Sequence, residues 1–390
     1  MNRHKGLFNV IATFLATSLI WAGVFSVIYM NDPVSRKVGR AYNLINKNYI
    51  FDFDEEFVKD YTVASMVNAL GDDYSAFYPK DYFESLENSM NGHYYGIGIK
   101  VIANEKTNEL IVYYVQENTP AERAGIAEGD ILIKVENKAV SAENLDEAVD
   151  MIKVDEKGLG TTVKLTLKRD GTEYETDVAR EKIVTITVES EILEDDVGYI
   201  RIDSFDNETI KEFKENAEKI KDTKYLILDL RNNGGGTLYS MRHIADMLLP
   251  ECVLTTFEYK NGKKTELKTS GKQTLKMPMC VLVNEGSASA SELLTAALQD
   301  NGRATVVGEK TFGKAIAQEA IPFEFENGKP VSAVYLTYAR YLTPKGEYIH
   351  DKGIVPDIVV EQSEDVKIGS ESDEQLNTAL KEVRKVKNSI

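Results

Sequence analysis

VLVNEGSASASELLTAALQD, residues 281–300, decides how this chain is read. An apolar run gives way to a polar turn, and Ser287, Ser289 and Ser291 then alternate into a stretch with helical apolar spacing. A strand, turn and helix of this kind belong to an α/β sheet buried on its faces. The junction is also a chemical position. Free backbone N–H groups and the positive end of the helix dipole meet there, so a serine hydroxyl at the turn lies where an oxyanion is favoured. Gly286, Ala288 and Ala290 are small enough to admit a substrate backbone. A serine at a helix start is also an ordinary cap, and this stretch alone leaves both readings open. A nucleophilic serine needs a proton acceptor, and the usual one is scarce. The four histidines, His4, His93, His243 and His350, all lie away from the segment in sequence.

The same unit recurs upstream. VGYIRI is followed by NETIKEFKENAEKI, in which Ile210, Phe213, Ala217 and Ile220 share one helical face. YLILDL is followed by LYSMRHIADMLL, and the alternation predicts βαβ crossovers. A hairpin turning at Asn327-Gly328 comes after them. Residues 93–182 read differently, as strands around polar turns, a short amphipathic helix over 144–153 and a hairpin at Asp170-Gly171. Residues 31–92 carry apolar residues at three- and four-residue spacings and predict a small helical region packed on something else. The last segment, 363–390, is a polar helix suited to capping the domain or to forming a homodimer.

With 390 residues and a net charge of -17, the chain has room for two or three domains and makes a poor partner for nucleic acid. Arg3 and Lys5 precede a stretch without charge from Gly6 through Met30. That exceeds the apolar core of a signal peptide and reaches the ~20 residues that span a bilayer. Residues 1–30 are therefore expected to be a retained transmembrane anchor, with the basic N-terminus cytoplasmic and the body outside. Cys252 and Cys280 sit in apolar strand-like stretches and read as buried thiols rather than a disulfide. No metal-binding spacing of Cys, His or acidic residues is present in the sequence.

A second glycine-rich junction, YLILDLRNNGGGTLYS, ends a buried strand and enters a helix through Asn232, Asn233, Gly234, Gly235 and Gly236. Such a turn presents N–H donors to an anion. A phosphate loop is the competing reading, but no Lys-Ser/Thr follows the glycines. An oxyanion hole built from the two junctions is more economical. Downstream, Lys314 lies between Gly313 and Ala315, and burial there would lower its pKa towards that of a usable base. Taken by itself, Lys314 reads more readily as a surface or structural lysine.

Together these segments resemble the carboxyl-terminal processing, or tail-specific, proteases, serine peptidases with a Ser-Lys pair. GIGIKV and PAERAGIAEGDILIKVENKAV resemble the family's PDZ domain, DLRNNGGG its oxyanion turn, GSASASELLTAALQD its nucleophile turn and GEKTFGKAIAQ its base segment. The resemblance implies a crotonase-like (ClpP/crotonase type) α/β protease core over 183–362 and a PDZ-like domain over 93–182. It further implies Ser289 as nucleophile, Lys314 as general base, Gln318 as the residue that positions the lysine, and Gly235 and Ala290 as oxyanion donors. Ser287 and Ser291 then become local structure. Tyr95, Gly96, Ile97, Gly98 and Ile99 would form the groove that takes a substrate's C-terminal tail, and Arg169 would link PDZ and protease. No cofactor is implied, and the compartment is the bacterial envelope. Where the family has Gly-Asn-Pro before its paired glycines, this chain has Asn232-Asn233-Gly234. Two other classes fit parts of the pattern: a catalytically silent PDZ adaptor or peptide sensor, and an acyl-CoA enzyme of the crotonase type.

Overall fold

The computed structural model describes residues 32–363 and 366–385, so the apolar run at 1–30 lies outside them. Among the described residues no helix is long and apolar enough to cross a membrane. The chain divides into two units, residues 1–62 and 63–390. In the first, helix α1 (Pro33–Asn48) begins where Asp32 accepts the Ser35 N–H at 2.6 Å and proline fills the first helical position. It buries none of its residues. Helix α2 (Glu55–Asn68) follows and runs on into the second unit.

Strand β1 (Ala76–Tyr78) and helix α3 (Lys80–Met90) come next. The sequence pattern predicts helix throughout this region, and β1 departs from it. Its three residues are too few to show a period, and they are strand because they pair antiparallel with residues 333–335.

The PDZ-like region is built from β2 (His93–Gly96), β3 (Ile99–Asn104), β4 (Glu109–Val115), α4 (Pro120–Arg123), β5 (Ile131–Val135), β6 (Lys138–Ala139), α5 (Leu145–Ile152), β7 (Thr162–Arg169), β8 (Thr172–Ala179) and β9 (Glu181–Val184). Its main sheet runs β3-β4-β5-β7-β8, with β6 on β5, while β2 pairs only with β9. Asp170 and Gly171 both have positive φ, as the two-residue turn between β7 and β8 requires. Ile97, Leu110, Leu132, Ala148, Leu165 and their neighbours form a separate apolar core.

The larger region contains β10 (Val188–Leu193), β11 (Val197–Ile202), α6 (Thr209–Ile220), β12 (Tyr225–Asp229), α7 (Leu238–Leu248), β13 (Val253–Tyr259), β14 (Lys264–Lys268), β15 (Met279–Val283), α8 (Ala290–Asp300), β16 (Ala304–Gly308), β17 (Ile316–Glu326), β18 (Lys329–Leu342), β19 (Ile358–Val359) and α9 (Glu374–Val383). A six-stranded sheet runs β10-β11-β12-β15-β16-β19, parallel except for β10. The parallel register follows from the βαβ alternation. A second sheet joins β1, β18, β13 and β14, with β17 on β18. Phe213 and Ile220 of α6, Met241 and Ile244 of α7, and Leu293 and Leu294 of α8 pack in one core with Ile200, Leu228 and Val281 of the sheet. On another cluster, α9 packs Leu376, Ala379 and Val383 against Tyr199, Ile227, Cys280 and Leu282, so this polar-looking helix caps the sheet. Cys252 and Cys280 are both free thiols, and burial pushes Cys280 up to about 12.

The start of α9 is tied to the glycine-rich turn by buried charge. The Arg231 guanidinium donates to both Asp229 oxygens, at 2.6 Å for the shortest bond, and to Asp373 Oδ1 at 2.8 Å. Asp373 is the N-cap of α9, and Tyr199 donates its hydroxyl to Asp229 at 2.7 Å. All three charged side chains are at most 1% exposed. The two carboxylates hold the Arg231 pKa above its ordinary value although burial opposes the charge.

Candidate active site

Ser289 is the N-cap of α8 and has φ 55 and ψ -112. A non-glycine residue in that region is strained by ~1–3 kcal/mol, and strain of this kind at a strand-to-helix turn holds a side chain out from the backbone. The neighbouring serines are spent on structure. Ser287 Oγ donates to the Leu230 carbonyl at 2.8 Å, Ser291 Oγ donates to the Asn233 carbonyl at 2.8 Å, and both residues are buried. Ser289 alone of the three is partly exposed. The two serine bonds, with the Ala288 N–H donated to the Asn233 carbonyl at 3.0 Å, stitch the turn that carries Ser289 to the glycine-rich turn.

Gly235 shows how close the two turns lie. A β-carbon there would stand 2.8 Å from the Ala288 carbonyl oxygen, 2.9 Å from Ser289 Cβ and 3.0 Å from the Ala290 nitrogen, and φ is +104. Only glycine fits at this position. Its N–H donates to Asn233 Oδ1 at 2.8 Å, whereas Ala290, first residue of α8, has an N–H without an intrahelical acceptor.

Lys314 reaches the same place from a different part of the chain. Its carrier is the glutamate of α8. Glu292 Oε2 accepts the N–H of Ser289 at 2.9 Å and of Lys314 at 2.8 Å, and Oε1 accepts the Gly313 N–H at 2.7 Å and the Thr311 hydroxyl at 2.6 Å. One fully buried carboxylate thus fixes the backbone of both residues. Burial raises the Glu292 pKa, and these four donors oppose that rise. The Tyr341 hydroxyl adds a second tie, donating to the carbonyls of Ser289 and Lys314. Burial lowers the Lys314 pKa, and the carboxylates of Asp72 and Glu292 act against it. The lysine ammonium lies over the Tyr74 ring, 4.5 Å from its centroid.

Gln318 sits on β17 where the pairing with β18 slips by one residue, between Ala317 and Gln318. Four residues along a straight strand span ~13 Å, so an approach to Lys314 would demand a bend, and a register break of this kind bends a strand. Its amide donates to Thr337 Oγ1 at 3.0 Å, and the Thr337 N–H donates to Ser75 Oγ at 3.0 Å. His350, distant in sequence, accepts the Ala315 N–H on Nδ1 at 3.2 Å. Its role there is towards the backbone.

The residues expected to line the peptide groove divide between two elements. Tyr95 and Gly96 end β2, opposite Lys182 and Glu181, whereas Ile97 and Gly98 form the link and Ile99 opens β3. Gly98 has φ +91 and lies against Thr119, so no side chain fits there. Arg169 makes a forked pair with Asp130, at 2.6 and 2.7 Å, and donates to the Gly125 carbonyl at 2.8 Å. Each of these partners belongs to the PDZ-like region.

The residue types most missed by the sequence reading are Glu292, Tyr341, Asp72 and Tyr74. Glu292 carried a signal: Ser289-x-x-Glu292 is a capping-box spacing. The others are brought in by long-range pairing.

With this geometry in place, the relatives are informative. A PDZ domain model matches residues 96–179, and the model of peptidase family S41 matches residues 196–360. The carboxy-terminal processing protease CtpA of Bacillus subtilis is 35% identical over 329 residues, covering 83% of this chain and 68% of that protein. The chain belongs to peptidase family S41. A probable CtpA-like serine protease of Staphylococcus aureus (strain COL) is likewise 35% identical, over 93% of this chain and 73% of its own. Among solved structures, the photosystem II D1 C-terminal processing protease is 25% identical with a TM-score of 0.51, covering 83% of this chain and 86% of that one. A putative S41 protease from Bacteroides fragilis shares the fold, with a TM-score of 0.55 over 86% of this chain and 91% of that one. The S41 peptidases of this group are C-terminal processing serine proteases, and the present chain is one that carries a PDZ domain.

Proposed function

We propose that this S41 protein is a membrane-anchored serine endopeptidase that takes hold of protein C-terminal tails through its PDZ domain and cleaves by a Ser-Lys acyl-enzyme mechanism on a crotonase-type core. The observation that carries the reading is the Glu292 carboxylate, which accepts the backbone N–H of both Ser289 and Lys314. A purely structural lysine has no need of a shared anchor with a strained serine.

Ser289 Oγ attacks the scissile carbonyl while neutral Lys314 Nζ accepts the hydroxyl proton. The tetrahedral oxyanion takes the Ala290 N–H at the positive end of α8, and the Gly235 N–H joins it when released from Asn233. Lys314 then passes the proton to the leaving amine, and the peptide C–N bond breaks. In the second half Lys314 takes a proton from water as the water oxygen attacks the acyl carbon, the ester bond from that carbon to Ser289 Oγ breaks to release the carboxylic acid, and Lys314 returns the proton to Oγ. Gln318 orients the lysine from the register break on β17. The apolar residues 1–30 anchor the enzyme, with its body outside the cytoplasm in a bacterial envelope.

The PDZ domain supplies recognition. Strand β3 ends its sheet, with β4 on one side, and Ile97, Ile99, Val101, Leu145 and Ala148 belong to one apolar cluster beside it. An extended tail adds as a further strand, its apolar side chain lies towards α5, and its carboxylate takes the backbone N–H groups of the Ile97-Gly98 link. An unstructured polypeptide with a free apolar C-terminus is therefore expected to be cleaved several-fold faster than the same chain amidated at its end. Initial rates by mass spectrometry decide this. Equal rates would remove carboxylate reading from the account and leave the PDZ domain as a gate or scaffold.

A further inference from the structure

The segment ahead of β1, Asp72-Asp73-Tyr74-Ser75, has no part in the mechanism just described, yet it lies across the lysine. The Tyr74 ring faces the Lys314 ammonium at 4.5 Å. Ser75 Oγ donates to Asp72 Oδ2 at 2.6 Å and accepts the Thr337 N–H at 3.0 Å, which fastens the segment to β18. Thr337 also receives the Gln318 amide, so the strap and the glutamine meet at one residue.

We propose that Asp72 and Tyr74 are positioning residues for the base: the aromatic face holds the Lys314 amine, and ring and carboxylate together favour its ammonium form, so this strap sets the pH at which the Ser-Lys pair becomes active. The inference rests on the reading of Lys314 as the general base. An aromatic face attracts a cation through its quadrupole, and an ionised carboxylate does so through its charge. Asp72 is suited to the task. Burial works against its charge, but the bonds from Ser75, Thr337 and the Tyr74 N–H hold its pKa below the ordinary value.

The groups that face Lys314 come from several elements. Glu292 on α8 also favours the ammonium form. Tyr341 on β18 meets Lys314 at its backbone carbonyl, and burial keeps its hydroxyl protonated. His350 binds the neighbouring Ala315 N–H and lies 6.2 Å from the Tyr74 ring, and Asp351 acts on the Tyr74 hydroxyl. Among the described residues, the strap offers both a ring and a charge to the amine.

The sign follows from the role. A base works in its neutral form, so removing a group that favours the ammonium lowers the lysine pKa and moves the acid limb of kcat/KM to lower pH. With a labelled unstructured polypeptide as substrate, Tyr74→Leu and Asp72→Asn are each expected to shift that limb down by about half to one pH unit. Tyr74→Phe, which keeps the ring, should leave it where the wild type has it. A merely structural strap would lower the rate at every pH and leave the limb in place, and that outcome overturns the proposal. Should Tyr74→Leu fail to fold by circular dichroism, the near-isosteric Asp72→Asn carries the test alone. Lys314→Ala separates the two levels. If it is inactive while the strap variants show no shift, the strap proposal fails by itself, and if it keeps the wild-type profile, the base assignment fails with it.

Discussion

Ser289→Ala and Lys314→Ala are each expected to cut turnover of an unstructured polypeptide by on the order of 10⁴-fold or more, because under the proposed mechanism each removes a group without which no acyl-enzyme forms. Neither should unfold the protein. Ser289 is an N-cap whose loss costs ~1 kcal/mol, and Lys314 is held mainly through its backbone, which alanine keeps. The neighbouring serines provide the contrast. Ser287→Ala and Ser291→Ala each break a buried bond between the two turns, so they are expected to lower stability by ~1–3 kcal/mol with a much smaller effect on rate. Thermal melts beside initial rates separate the two patterns. A Ser289→Ala enzyme at wild-type rate would end the assignment.

Arg231→Met is expected to lower the unfolding free energy by ~3–5 kcal/mol, because it leaves Asp229 and Asp373 buried without their shared cation. The loss should depend on pH. Burial opposes the Asp373 charge, but bonds from Arg231 and from the Gly369 and Leu376 N–H groups hold its folded pKa below the ordinary value. A depressed carboxylate contributes stability that is present above the unfolded pKa near ~4 and is lost as pH falls through the folded pKa. The gap between wild type and variant is therefore widest at neutral pH and narrows in acid. Urea unfolding at a series of pH values reads this directly. A pH-independent gap would mean that packing, and not the ion pair, ties α9 to the glycine-rich turn.

Local signals made much of the core legible. The strand-turn-helix at 281–300 is read correctly because a run of apolar residues and a turn of small ones leave few alternatives. The hairpins at Asp170-Gly171 and Asn327-Gly328 form because both turn positions accept positive φ. Of the face expected on α6, Phe213, Ala217 and Ile220 are buried. The C-terminal helix was harder, since its apolar residues Leu376, Ala379 and Val383 are thinly spaced among charges and look solvated until a sheet covers them.

Non-local pairing accounts for the rest. β1 is strand only because β18 lies beside it, and the Asp72–Ser75 strap meets Lys314 only through that pairing. Tyr341 reaches the carbonyls of Ser289 and Lys314 from a strand whose own sequence is an ordinary alternation. Glu292 is the instructive case. Its capping-box spacing is visible in the sequence, but the same carboxylate also serves Thr311, Gly313 and Lys314, and no local pattern contains that.

The most direct test of the central claim is covalent capture of the nucleophile. A fluorophosphonate esterifies an activated serine hydroxyl and reports its position by peptide mapping. The expected adduct is on Ser289 alone, formed much more slowly in Lys314→Ala and absent in Ser289→Ala. An adduct on Ser287 or Ser291, or labelling of Ser289 at the same rate with and without Lys314, would contradict the Ser289–Lys314 mechanism.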